Sequence, residues 1–226
     1  MNLKQKVEEL YFKINAAQQK NGLSHQVEVV GVTKTRPFLF IEESYSAGLR
    51  HVGENRIQEA ENKFGSFNNM PGLKKRFIGH LQSNKSKKCV ELFDAVDSID
   101  SVKTLKKVKK HSLELKKAMS VLIEINTSKE PQKHGFYPDQ KKEILECFNC
   151  GGGSVDGLMT VGPNTSDEKS IRNAFKTLRK TKEWVETETN TKIKHLSMGM
   201  SGDYELAVEE GSTMIRVGSF LYGPRT

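Results

Sequence analysis

Val27-Glu28-Val29-Val30-Gly31-Val32-Thr33-Lys34 is a β-branched run that stops at a lysine, and Thr35-Arg36-Pro37 then turns the chain into a helical stretch. Such a run reads as a buried strand. Lys34 then takes its last position, held on a rigid element at the rim of an apolar core. A lysine amine has a reference pKa near 10.4, so less than about 0.1% of it is the free nucleophile at neutral pH. Partial burial disfavours the ammonium and lowers that value, which is what a lysine that condenses with carbonyl groups needs. Taken alone, a lysine at a strand end is more often an ordinary surface residue. The rest of the chain decides between the two.

Outward from this strand, further strand-like segments recur at 51–54, 76–81, 95–99, 121–126, 155–161, 195–200 and 214–220. Helix-length stretches separate them, including 37–47, with a proline in its first turn, and 167–189, which holds the only tryptophan, Trp184. A further amphipathic helix over about residues 2–20 precedes the first strand. Eight short strands alternating with helices predict a single (β/α)8 TIM-type barrel with an extra N-terminal helix. An open doubly wound sheet is the alternative, but no nucleotide-binding fingerprint accompanies the regular units. Gly151-Gly152-Gly153-Ser154 reads as a flexible loop too short to divide the chain, so one domain is expected over 1–226.

The chain has 226 residues, 35% of them hydrophobic, and a mean hydropathy of -0.59. The apolar residues are gathered into dense runs, which favours a folded protein over a disordered one. No stretch approaches the ~20 apolar residues that cross a bilayer, and the first ten residues lack an apolar signal segment. With three cysteines, a cytoplasmic location and no membrane partner are expected. The net charge of +8 invites a nucleic-acid reading. The lysines, however, are interleaved with acids, and the densest run, 103–117, carries Leu105, Val108, Leu113 and Leu115 as the apolar side of a helix. No specific nucleic-acid partner is expected.

In a barrel the functional face is the C-terminal mouth, with phosphate commonly held after strands 7 and 8. Lys34, Glu54, Asn55, His80, Asn126 and Thr160 all fall at that face. Ser197-Met198-Gly199-Met200-Ser201-Gly202-Asp203 runs from a strand through small residues into a helix. It reads either as a seat for an anion or as a turn capped by Ser201 or Asp203. Ile215-Arg216-Val217-Gly218-Ser219-Phe220 adds a fixed positive charge, a glycine and a further hydroxyl. Two adjacent donor-rich turns favour a phosphate seat over two unrelated caps.

The motifs VTKTRP (32–37), HVGENRIQE (51–59), FIGHLQSNK (77–85), VDGLMTV (155–161), HLSMGMSGDYELAVEEGSTMIRVGS (195–219) and LYG (221–223) together resemble the pyridoxal phosphate homeostasis proteins. Those are single-domain relatives of the alanine racemase barrel, and the resemblance implies a pyridoxal phosphate fold of type III. It implies that Lys34 holds pyridoxal 5'-phosphate as a Schiff base, with Asn55 beside the ring, Ser201, Gly218 and Ser219 at the phosphate, and Arg216 facing the pyridine nitrogen. Position 219 is usually threonine, so Ser219 keeps the hydroxyl and loses a methyl group. The loop 68–75 and the segment 147–154 are less family-like.

Pyridoxal phosphate is the strongest electron sink when its ring nitrogen is protonated. An arginine cannot accept that proton, so a ring facing Arg216 is expected to stabilise carbanions poorly. Racemases of this barrel type also draw a second base from a second domain, for which no room is expected after the eighth strand. The expected function is therefore a carrier or buffer in vitamin B6 homeostasis, a monomer that serves apo pyridoxal phosphate enzymes without robust catalysis of its own. A small racemase-type enzyme using His80 or another mouth residue is the alternative, and a basic interaction module is a third class. His80 is read as a general base, a donor to the cofactor or a structural histidine, and Glu54 as a ligand contact or a salt-bridge partner that orients Lys34. Cys147 and Cys150 have a metal-like spacing, but Cys89 is the only other cysteine and no second ligand pair is evident, so no metal is expected.

Overall fold

Eight parallel strands close on themselves in chain order. They are β1 (Glu28–Val32), β2 (His51–Glu54), β3 (Lys74–Phe77), β4 (Ala95–Ile99), β5 (Ser120–Glu124), β6 (Gly157–Met159), β7 (His195–Ser197) and β8 (Met214–Val217). Val30 of β1 registers with His51 on one side and with Arg216 on the other, which seals the barrel. The computed structural model describes residues 1–151 and 155–224. Residues 152–154 of the loop read at 151–154 lie outside that set.

Each strand up to β7 is followed by a helix that covers its outer face. These are α2 (Leu39–Ser46), α3 (Ile57–Lys63), α4 (Ser86–Leu92), α5 (Val102–Glu114), α6 (Lys141–Asn149), α7 (Glu168–Thr189) and α8 (Tyr204–Glu209). Among the described residues, β8 is followed only by the short α9 (Ser219–Tyr222). The helix read as an extra one, α1 (Leu3–Gln19), fills the missing wall. Asn2 opens it with a capping box: its side chain accepts from Gln5 N–H at 2.9 Å, and Gln5 answers at 3.0 Å. Val7, Leu10, Ile14 and Ala17 then recur at helical spacing and pack on Val27, just before β1, and on Val29, Ile215 and Val217, the outer faces of β1 and β8. Burying a side chain of this size stabilises by about 1.5–3 kcal/mol.

The interior of the barrel is filled in layers. Val30, Leu122, Met159 and Met214 form an apolar plug. Toward the N-terminal ends of the strands, Arg76 makes a two-pronged ion pair with Asp97, each N–O distance 2.7 Å and both side chains buried. Among the described residues no helix is long and apolar enough to cross a membrane.

Several boundaries differ from the sequence reading. Strand β3 lies at Lys74–Phe77 instead of 76–81. Its first residues are lysines at the barrel rim, where long stems reach water, so the apolar signal begins late. It ends early because Gly79 passes against Asn55: a Cβ there would lie 2.1 Å from the Asn55 carbonyl oxygen. Helix α2 begins at Leu39, leaving Pro37 outside its first turn. Strand β8 stops at Val217, so Gly218 to Phe220 belong to the turn and to α9.

Candidate functional site

Strand β1 ends at Val32, so Lys34 stands in a turn two residues beyond it. The extended run breaks because Thr35 adopts φ 64, a left-handed conformation that costs a residue with a Cβ roughly 1–2 kcal/mol. The surroundings hold this turn from both sides. Thr33 Oγ1 donates to Glu54 Oε1 at 2.6 Å. Lys63 Nζ donates to the same oxygen at 2.6 Å and to the Thr33 carbonyl at 2.9 Å. On the other flank Thr35 N–H donates to Glu59 Oε1, which also accepts from Lys63 Nζ at 3.1 Å. Glu54 is thus a bracket for the residue before Lys34. Burial raises the pKa of its carboxyl, and the bonds from Lys63 and Thr33 offset only part of that rise.

The chain after β7 and the chain after β8 meet over a shared oxygen. Ser201 is not the N-cap of α8. Its Oγ accepts from the N–H groups of Gly218 and Phe220, each at 3.2 Å. Asp203 Oδ1 accepts from Met200 N–H at 2.6 Å and so closes the turn. Backbone donors that converge on one oxygen form the concave arrangement that also holds an anionic oxygen.

Arg216, on β8, is buried inside the barrel. Its guanidinium donates to Ser197 Oγ at 2.7 Å, to the Ser197 carbonyl at 3.1 Å and to the Thr160 carbonyl at 2.7 Å. Burial pulls its pKa below the ordinary arginine value, against the opposing fields of Asp97, Glu124 and Asp203. Burial also pushes the Glu124 carboxyl up to about 7, with Arg216 opposing the rise and Asp100 adding to it.

One cavity of about 470 Å³ joins these pieces, and Lys34, Asn55, Ser201, Arg216, Gly218 and Ser219 all line it. That volume falls among those of small-molecule sites, about 300–1,000 Å³. His80 is not in its wall, although the preceding Gly79 is. His80 instead bonds Asp100, Nδ1 to Oδ2 at 2.9 Å. Asn126 serves its own loop, its amide donating to the Glu130 and Lys133 carbonyls. Cys147 is a buried thiol of α6 whose pKa burial pushes up to about 12, and Cys89, Cys147 and Cys150 are free cysteines.

The sequence reading missed Arg36, Tyr222, Glu59 and Lys63. Arg36 lines the cavity and donates to the carbonyls of Gly223 and Pro224. Tyr222 also lines it, shares a 2.7 Å hydrogen bond with Ser44 Oγ, and lies where a Cβ on Gly31 would come within 2.3 Å of its hydroxyl. Position 31 must therefore stay glycine for Tyr222 to stand there. The signal for Lys63 was its spacing of four from Glu59 on one helix face.

Three comparisons bear on this cavity. Residues 10–226 match the family model described as alanine racemase, N-terminal domain. The chain is 34% identical over 227 residues to a pyridoxal phosphate homeostasis protein of Aquifex aeolicus, covering 100% of this chain and 99% of that one. A protein of the same name from Vibrio alginolyticus is 35% identical over 229 residues, covering 99% of this chain and 98% of its own. Among solved structures, PipY of Synechococcus elongatus, 31% identical, superposes with a TM-score of 0.87 without pyridoxal phosphate and 0.84 with it bound. Either form covers 98% of this chain and 100% of PipY.

Proposed function

The chain belongs to the pyridoxal phosphate homeostasis protein family, built on the alanine racemase N-terminal fold, and from that premise we propose that it holds pyridoxal 5'-phosphate in the mouth cavity as a carrier or buffer of that cofactor. The observation that carries this reading is the convergence in one cavity of a bracketed lysine, a buried arginine and a donor-rich turn. When bound, the cofactor supplies an aldehyde that a lysine amine can capture and a ring that withdraws electrons.

Each group in the wall has a task that its own chemistry allows. The Lys34 amine is the point of attachment, and the hold on Thr33 and Thr35 limits where that amine can travel. Ser201, Ser219 and the Gly218 N–H present donors to a phosphate; Ser201 gives up its acceptor role toward Gly218 and Phe220 as an anionic oxygen takes its place. Asn55 offers an amide beside the ring. Arg216, fixed by Ser197 and Thr160, brings a cation that cannot take a proton from a ring nitrogen. That set suits retention of the cofactor better than strong carbanion chemistry, which favours the carrier over a racemase-type enzyme. Apo pyridoxal phosphate enzymes are the natural recipients, and the cytoplasm is where they would be met.

The test is direct. Purified full-length protein is given pyridoxal phosphate, its visible absorption is recorded, and it is reduced with borohydride before peptide mass analysis. A visible band, a reduced adduct on Lys34 and no racemisation of alanine are expected. An adduct found only on another lysine refutes the site, and steady racemisation refutes the carrier.

A further inference from the structure

Beside the cavity, three side chains from three separate connections meet at the mouth. His80 follows β3, Asp100 follows β4, and His134 lies in the loop between β5 and α6. His80 Nδ1 is 2.9 Å and His134 Nδ1 is 3.8 Å from the same oxygen, Asp100 Oδ2. One donor atom from each residue lies within 4.8 Å of the others. The two imidazoles stack with centroids 3.8 Å apart and planes 11° from parallel.

An ordinary ion pair accounts poorly for this cluster. The chain has 36 lysines and arginines, and several shielded carboxylates use them: Glu54 takes Lys63, Asp97 takes Arg76, and Glu209 takes Arg172 and Lys20, whereas Glu28 faces His51 and His195 at the longer distances of 3.4 and 4.0 Å. Asp100, only 13% exposed, has no lysine or arginine partner among the described residues and faces two imidazoles instead. Those side chains are 40% exposed for His80 and 53% for His134, so packing does not lock either ring.

We propose that His80, Asp100 and His134 form a binding site for a divalent late first-row transition metal such as zinc. Zinc binds imidazole nitrogen at about 2.0–2.1 Å and carboxylate oxygen at about 2.0–2.2 Å. Two donors on one tetrahedral ion are then about 3.4 Å apart, between the two separations found here. Seating the ion requires one ring to tilt out of the stack so that both nitrogen lone pairs point at one centre. Imidazole nitrogen selects zinc, cobalt or nickel over magnesium and calcium, which prefer oxygen alone. With three protein donors, a fourth position stays open to water or to an anionic donor. None of the three residues lines the cavity proposed for pyridoxal phosphate.

The test uses the full-length chain without an affinity tag. Zinc is titrated by calorimetry, and cobalt is followed through its visible spectrum, which reports coordination number. One equivalent per chain is expected, with affinity falling at least about tenfold in His134→Ala and in Asp100→Asn. A Cys147→Ser, Cys150→Ser double variant, which removes the other soft donors nearby in sequence, is expected to bind as the parent does. Because His134 is exposed, its replacement leaves the fold intact, which circular dichroism confirms in the same samples. Absence of binding overturns the proposal. Binding that survives both His134→Ala and Asp100→Asn, or that disappears with the cysteines, also overturns it.

Discussion

Two buried arginines share the barrel interior and live under opposite rules. Arg76, toward the N-terminal ends of the strands, meets a carboxylate: burial works against its charge, but the field and bonds of Asp97, together with the fields of Glu28 and Asp156, leave its pKa raised. Arg216, at the C-terminal mouth, meets a hydroxyl and two carbonyls, and burial leaves its pKa lowered. The first cation is neutralised within the protein. The second is held by dipoles, and Asp97, Glu124 and Asp203 act on it only as fields, without bonding it. One buried arginine is thus matched by an anion that touches it, and the other by dipoles alone, which is the contrast the proposed cofactor site draws on.

The largest test of this contrast is Asp97→Ala. Removing one partner of a buried pair leaves the other charge uncompensated and typically costs about 3–5 kcal/mol. Urea unfolding should show a loss of that order. A loss below about 1 kcal/mol would mean that water reaches Arg76 and that the two arginines are not so different.

At the mouth the expected change is in binding instead of stability. Ser201→Ala should weaken pyridoxal phosphate by about 1.5–3 kcal/mol, the worth of a hydrogen bond to a charged group, while pyridoxal without its phosphate is nearly unaffected. Fluorescence titration with both compounds decides the matter, and equal weakening of the two would remove Ser201 from the phosphate seat.

Glu124 lies between the two regimes and gives a pH test. Its pKa moves from 4.5 to about 7 on folding. The native state therefore keeps the proton where the unfolded chain has lost it. Stability is full below about pH 4.5, declines as pH rises toward 7, and stays at the lower level above that. Glu124→Gln, neutral throughout, should exceed the parent in stability by about 1–3 kcal/mol at pH 8 and match it near pH 4.5. Denaturation curves at the two pH values with the same gap between parent and variant would contradict the shift.

The smallest effect belongs to the turn that carries Lys34. Thr35→Gly removes the left-handed penalty but adds freedom to the unfolded chain, so a net gain below about 1 kcal/mol is expected. The same variant should be captured less efficiently at Lys34 by pyridoxal phosphate and borohydride, because the bracket has lost its stiffness. A more stable variant with undiminished capture would show that the strain does not serve the lysine.

What the sequence made legible follows from distance along the chain. The β1 run and the turns after β7 and β8 are continuous stretches, so their periodicity and donor content could be read before folding. The Arg76–Asp97 pair joins residues on neighbouring strands and forms only when the barrel brings them together. Lys74 and Lys75 hid the start of β3 because apolar periodicity weighs a lysine as polar, although its stem can line a rim. Glu54 could be flagged but not given a role until Lys63 and Thr33 were seen to share its oxygen. The cluster of His80, Asp100 and His134 was invisible as a set, since three connections contribute one residue each.

The helix α1 carries a consequence for the order in which the molecule is made. It seals the seam between β1 and β8, and Lys6 Nζ donates to the Leu221 carbonyl at 2.9 Å across 215 positions of sequence. Lys13 also lies over the Phe220 ring. Synthesis delivers β1 directly after α1 but β8 and α9 only near the end, so half of the surface that this helix covers, Ile215 and Val217, comes late. Closing so long a loop is slow. Until then the apolar face of Val7, Leu10 and Ile14 has only its early partners, Val27, Val29 and Leu49, to cover it. Through Leu221 and Phe220 the same helix holds the segment that directly follows Gly218 and Ser219 in the cavity wall, so the seam and the cavity share one short stretch of chain.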